Sequence, residues 1–346
     1  MLATSPLPSG GGAGGGVDRR RHYFFGTMFL GAVFGRIRGR ALDVAEMKRF
    51  ANLAALAGYF DDLVEAAPPP APPPAGRGDA IPQTSAKQVL HHHESSVPRL
   101  PSPRGEGPGV GPETYGRAAD PSGLAIHLLQ QAYTDVPAHH AEAFRENLLC
   151  VFQVETEGRQ RKLPAPTEAE ISRLTAEKGG CSVLLFRYLL ADELSAAEHQ
   201  AIFEFGHFMQ LCDDIFDLWH DRQNGTATLV TVWTEQGDLG RLEACFEQQA
   251  ARVGEAIRQI GISAGRRETA IQTVFFLVAV TRVCLRHYRC LQKKHGTLPL
   301  ENRRQMVVDM ARWKFQLQVV AELFANRSKQ HCESSYRNIH TRRNRP

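Results

Sequence analysis

Apolar residues recur along this chain at three- and four-residue intervals, the period of a helix with one face turned inward. No stretch alternates apolar and polar positions in the manner of a half-buried strand. The pattern predicts an all-α protein, with helices over about 22–36, 41–66, 122–133, 138–157, 167–191, 195–221, 239–260, 265–293 and 300–326. Two of these carry a start signal. Thr167 is followed three positions on by Glu170, and Ser195 by Glu198. In that spacing the hydroxyl accepts a backbone N–H while the carboxylate reaches back to the cap. No repeat of about 20–50 residues is visible.

The helical pattern lapses in three places. Residues 66–118 hold 12 of the chain's 20 prolines, from Pro68 to Pro112, and too few apolar residues to bury. They read as a polyproline-like or disordered insertion inside one helical domain spanning 22–326. His91, His92 and His93 fall in this stretch and are read as solvated low-complexity sequence. Residues 1–21 read as a flexible leader, because no apolar core precedes the basic Arg19–Arg21 as a secretory signal would require. Residues 327–346 are a basic polar tail, with Arg327, Lys329, Arg337, Arg342, Arg343 and Arg345; a solvated end is the plainer expectation than a lid over a phosphate.

Two runs oppose the pattern from inside apolar helices. These are Asp61-Asp62-Leu63-Val64-Glu65 and Asp213-Asp214-Ile215-Phe216-Asp217. Carboxylates at i and i+4 share a helix face, with the i+1 carboxylate beside them. Like charges so placed repel by roughly 0.2–0.5 kcal/mol per exposed pair, and more in an apolar setting. A bound cation is the natural offset. Hard oxygen donors suit Mg²⁺, with Mn²⁺ as the alternative, shared between a few carboxylates and a phosphate. One such run alone would read as a solvated face. Two of them, with Gln210 a turn before the second and Lys178 between, point to metal-assisted diphosphate chemistry.

Bulk composition narrows the class. With 42% hydrophobic and 23% charged residues among 346, the chain is an ordinary globular protein, and a net charge of +4 does not argue for nucleic acid as a partner. Seven cysteines without a C-x-x-C pair disfavour a disulfide framework or zinc knuckle, so a reducing, cytoplasmic location is expected. The apolar run 23–34 is too short to span a bilayer, and 271–285 is interrupted by Gln272, Thr273, Thr281 and Arg282. No transmembrane segment is predicted; peripheral membrane contact and a homodimer stay open. Glu204 and His207 form a single E-x-x-H, where a di-iron bundle uses two. His220-Asp221 lacks the further ligands of a metal-dependent phosphohydrolase.

The string Gly206 to Asp217, G-x-x-x-Q-L-x-D-D-I-x-D, resembles the second aspartate-rich helix of trans-prenyl diphosphate synthases, within the class I isoprenoid synthase superfamily. The continuation through Asp221, Gly225 and Leu229, each four apart, is similar to the same helix of squalene and phytoene synthases. Tyr59 to Glu65 resembles the first acidic motif, nearest its squalene and phytoene form. The paired-arginine and glycine signature that follows it in prenyl diphosphate synthases is missing, since the proline-rich stretch begins there. Lys178-Gly179-Gly180 resembles the K-T-G segment, and Gln153-Val154-Glu155 sits where the superfamily carries another polar patch.

This resemblance implies an all-α bundle around a central cavity and a Mg²⁺-dependent transferase that binds and ionises a prenyl diphosphate. It implies metal ligation by Asp61, Asp62 and Glu65 on one helix and by Asp213, Asp214, Asp217 and Asp221 on the other. Lys178 would be the catalytic cation on the diphosphate, with Gln210 and Arg222 also binding substrate. Phe24, Phe25, Phe34, Phe203, Phe208, Phe275, Phe276, Trp313 and Phe315 are candidates to line the cavity, although such aromatics are more often plain core. Chain elongation, head-to-head condensation and terpene cyclisation share the ionisation step and stay open. The competing class is a non-catalytic helical binding protein.

Overall fold

The computed structural model describes residues 15–66, 121–160, 166–310 and 312–325, with side chains over 26–58, 126–157, 166–310 and 312–325. Every described residue is helical or connects helices, and none is in a strand, so the all-α class read from the periodicity is borne out. The helices are α1 (Gly15–Arg38), α2 (Val44–Ala66), α3 (Pro121–Asp135), α4 (Ala141–Gln160), α5 (Glu168–Tyr188), α6 (Ala196–Phe216), α7 (Leu218–Asn224), α8 (Leu229–Glu235), α9 (Leu239–Gln259), α10 (Ala264–His295) and α11 (Arg303–Met306), followed by α12 over 313–325. The proline-rich insertion after Ala66, with its three histidines, the first fourteen residues and the basic tail lie outside the described residues.

Two compact units divide the chain: Met1–Phe29 with Asp43–Glu142, and Leu30–Leu42 with Ala143–Pro346. In the first, α2 packs against α3, burying Phe50, Leu53 and Leu56 on one side and Ala132 on the other. α2 starts three residues later than the periodicity suggests because Asp43 caps it. Asp43 Oδ1 accepts from the Glu46 N–H at 2.8 Å, and the Asp43 N–H donates to Glu46 Oε2 at 3.0 Å, a reciprocal capping box. The first acid run, Asp61, Asp62 and Glu65, occupies the last turns of this helix; its side chains lie outside the described residues.

The second unit is organised around the hairpin of α5 and α6, with α9 and α10 packed on α6. Thr167 forms the complete capping box expected of it, with Glu170 answering. Ser195 forms half of one: its hydroxyl accepts from the Glu198 N–H at 3.2 Å, but the Glu198 carboxylate is drawn to Arg187 Nε, 2.7 Å away. Arg187 is 1% exposed and also donates to the carbonyls of Asp192 and Glu193. The buried guanidinium is thus paired by one carboxylate and two carbonyls of the α5–α6 turn, which it ties to the helix.

α10 is long and apolar enough to cross a membrane by length and composition. Here its Val274, Val278 and Val283 are core, and its Ala279 and Val283 pack on Phe315 and Val319 of α12. Three further boundaries differ from the sequence pattern. α1 begins at Gly15, inside the stretch expected to be a flexible leader, since extending an existing helix costs far less than starting one. The helix expected over 195–221 is interrupted at Asp217. The one expected over 300–326 is two helices, with α11 capped by Asn302.

Candidate functional site

The described part of the site belongs to the second unit and begins with a crossing of backbones. A Cβ on Gly179 of α5 would lie 2.2 Å from the Gly206 carbonyl oxygen of α6, and a Cβ on Gly206 would lie 2.2 Å from that of Gly179. A Cβ on Gly180 would meet the Phe203 ring at 2.4 Å. Mid-helix glycine costs roughly 1 kcal/mol relative to alanine, a cost these positions carry because no side chain fits. The contact brings Gln210, whose Cβ would lie 2.7 Å from one built on Gly179, beside the stretch of α5 that carries Lys178, the residue before that glycine.

Beyond the crossing, α6 carries the second acid run to its end. Asp217 leaves helical geometry at φ −92° and ψ 8°, and α7 resumes one residue later. The four-residue register survives this break. The Asp217 N–H donates to the Asp213 carbonyl and the Asp221 N–H to that of Asp217, each at 2.8 Å, while the Thr226 N–H closes the helix end by reaching back five residues to the Asp221 carbonyl at 2.8 Å. The ladder Asp213, Asp217, Asp221 therefore remains stacked, and the Tyr288 hydroxyl from α10 supports the join by donating to the Ile215 carbonyl at 2.9 Å. Gly225, at φ +66°, ends α7 in the left-handed conformation that favours glycine.

The electrostatics are those of a crowded anionic cluster. Asp214 is 6% exposed, and burial pushes its pKa up to about 7. The hydrogen bond from Gln210 Nε2 to Asp214 Oδ1, 2.8 Å, opposes that rise; Asp213 reinforces it and Lys178 opposes it. Asp221 is pushed up to about 8, first by burial and then by the charges of Asp214, Asp217 and Asp213, again with Lys178 in opposition. The four carboxyl groups and one ammonium thus feel one another. Lys178 Nζ lies 2.8 Å from Glu155 Oε1 of α4, so this cation is held between a glutamate and the aspartates.

The remaining sequence candidates are accounted for as follows. Arg222 Nε lies 2.9 Å from Glu235 Oε1 of α8, a pairing no local pattern announces. His220 is exposed, its ring edge-on to Trp219, and Glu204 accepts from Gln200 and Gln249. Of the aromatics, Phe34, Phe208 and Phe315 are buried, whereas Trp313 and Phe276 are exposed and line no interior; helical spacing alone does not say which face a neighbour covers. Phe24 and Phe25 lie outside the described side chains. Three contributors escaped the sequence reading. Tyr288 at the helix break has no motif. Arg303, whose guanidinium carbon sits 5.5 Å from the Trp219 ring centre, lies more than eighty residues from it in sequence. Glu155 was visible as a polar residue, but not as the partner of Lys178.

Hard carboxylate oxygens fit a magnesium ion only in part. Among the described residues no three of His, Cys, Asp and Glu gather to hold a metal by themselves.

The described residues thus define an all-α helical protein with an acid cluster at one end of a glycine-crossed helix pair. Among solved structures, the chain is similar to one of a dehydrosqualene synthase in complex with ligand, with 14% identity and a TM-score of 0.43 over 90% of this chain and 100% of the other. Neither a family model nor a curated protein matches the sequence.

Proposed function

We infer that the protein is a Mg²⁺-dependent transferase of isoprenoid biosynthesis that binds a prenyl diphosphate and ionises its allylic bond. The observation that carries this reading is the joint placement of Asp213, Asp214, Asp217 and Asp221 in one electrostatic neighbourhood with Lys178, beside a backbone crossing that admits only glycine. The motif resemblance of the two acid runs names the substrate class.

In this reading Asp213, Asp214, Asp217 and Asp221 would supply the metal's carboxylate oxygens on one acid helix, and Asp61, Asp62 and Glu65 those on the other, one or two at a time beside waters and substrate phosphate oxygens. Bound Mg²⁺ supplies charge neutralisation for the departing diphosphate. Lys178 turns from Glu155 toward that group as negative charge accumulates, and Arg222 exchanges Glu235 for it in the same way. Gln210 fixes the rotamer of Asp214 through its amide.

The test is Mg²⁺-dependent pyrophosphate release from geranyl, farnesyl and geranylgeranyl diphosphates. Release from at least one is expected, falling by roughly a hundredfold or more in Asp213→Ala and in Asp61→Ala. If folded wild type releases none, the fold serves as a non-catalytic binding protein and the enzyme reading is wrong. Mass spectrometry of the product then separates elongation, head-to-head condensation and cyclisation.

A further inference from the structure

Away from the acid cluster, two thiols meet where α4 passes α5. Cys181 Sγ lies 2.9 Å from Cys150 Sγ and donates its hydrogen to it. A disulfide bond measures about 2.05 Å, so these sulfurs need to close by less than about 1 Å to join. Cys150 is half-buried and Cys181 buried behind it, so a reagent arriving from solvent meets Cys150 first.

The two thiols are chemically unequal. The hydrogen bond from Cys181 lowers the pKa of Cys150, against burial and the Glu177 charge. The same bond, with burial, holds Cys181 protonated well above the usual thiol range. The thiolate is the nucleophile in disulfide exchange. An accessible cysteine that ionises more readily, backed by a protonated neighbour in contact, has the arrangement of an attacking thiol with its resolving partner.

We propose that Cys150 and Cys181 form a reversible disulfide, a thiol-modification site that closes on reaction with a low-molecular-weight disulfide and ties α4 to α5. In the first step the Cys150 thiolate attacks one sulfur of the small disulfide; a bond forms between them and the other half leaves as thiolate. In the second, Cys181 gives up its proton and attacks Cys150 Sγ, expelling the remaining half as a second thiolate. The two protein thiols are oxidised, the small disulfide is reduced to two thiols, and the two protons end on those leaving groups.

The position gives the bond a consequence. Cys181 follows Gly180 on α5, and Cys150 shares α4 with Glu155, the partner of Lys178. A covalent tie between these helices keeps Lys178 on Glu155 and away from an incoming diphosphate. That consequence rests on the proposed function, whereas the disulfide does not.

The experiment incubates the full chain with oxidised and reduced glutathione at graded ratios, stops exchange with acid, blocks free thiols with N-ethylmaleimide in denaturant near neutral pH and maps peptides by mass spectrometry. A peptide pair linking Cys150 to Cys181, abolished by dithiothreitol, is expected, together with a rise in melting temperature of roughly 5 °C from the shortened unfolded chain. Cys181→Ser should stop at Cys150 carrying one glutathione, and Cys150→Ser should leave Cys181 alkylated. Both thiols alkylated at every ratio in the wild type, or Cys181 linked to another cysteine, would overturn the proposal, and neither outcome depends on a variant folding. A pyrophosphate-release assay on the same samples separates the two inferences: linkage without any activity in reduced protein sustains the modification and defeats the enzyme reading.

Discussion

Asp214 and Asp221 are carboxyl groups that fold against their own ionisation. Burial sets the native pKa of Asp214 near 7, against an ordinary value of 3.8. Between those values the folded protein keeps a proton that the unfolded chain releases, so Asp214's contribution to stability is complete below about pH 4 and is lost as pH rises through about 7. Asp221 extends the same loss to about pH 8. In chelator, the melting temperature of the wild type should therefore fall from pH 5 to pH 8 more steeply than that of Asp214→Asn; equal slopes would contradict the buried, protonated Asp214. Millimolar Mg²⁺ should raise the wild-type melting temperature most at pH 8, where carboxylates are available to bind it. Tyr288 permits a second single-residue test. Tyr288→Phe removes the donor to the Ile215 carbonyl, leaving a buried acceptor unpaired, and should cost about 1–3 kcal/mol in urea unfolding. The identity of the acids, Gln210 and Lys178 was legible in the sequence because their intervals are local. The Lys178–Glu155 and Arg222–Glu235 partnerships were not, since each joins helices whose packing no interval reports.

Among the helices, α5 and α6 show what patterning reveals and where it stops. Periodicity located both, and the Thr167 box fixed the start of α5. The interruption at Asp217 was invisible because the residues around it keep helical spacing and i→i−4 bonds, while its support, Tyr288, comes from α10. Likewise α8 went unread, although Thr228 and Thr231 form its capping box, because seven residues give too short a window for periodicity. The glycines were read as a close approach or a kink, and the close approach is what they provide. Gly179→Ala should destabilise the second unit by several kcal/mol, since its methyl would meet the Gly206 carbonyl at 2.2 Å. Gly225→Ala, where a Cβ meets nothing within 4 Å but φ is +66°, should cost only about 1–2 kcal/mol. Chemical denaturation of the two variants side by side tests this ranking, and a larger loss at Gly225 would reverse it.

At the level of the whole molecule, the all-α class was readable because amphipathic period is a property of each segment taken alone. The division into two compact units was not, since it depends on which segments pack together. Each unit carries one acid run, and the proposed function has both runs serve the same ionisation step. Combining Asp61→Ala with Asp213→Ala should then depress pyrophosphate release little further than either alone, as for groups serving one ionisation step; independent, multiplying losses would indicate separate roles. The crossing of α5 and α6 has one more effect, on how this sequence can change with time. Alanine at 179 collides with the carbonyl at 206, and alanine at 206 with the carbonyl at 179, so neither mutation relieves the other. Two codons are thereby bound to a single constraint, and drift can pass it only if the helices themselves first move apart.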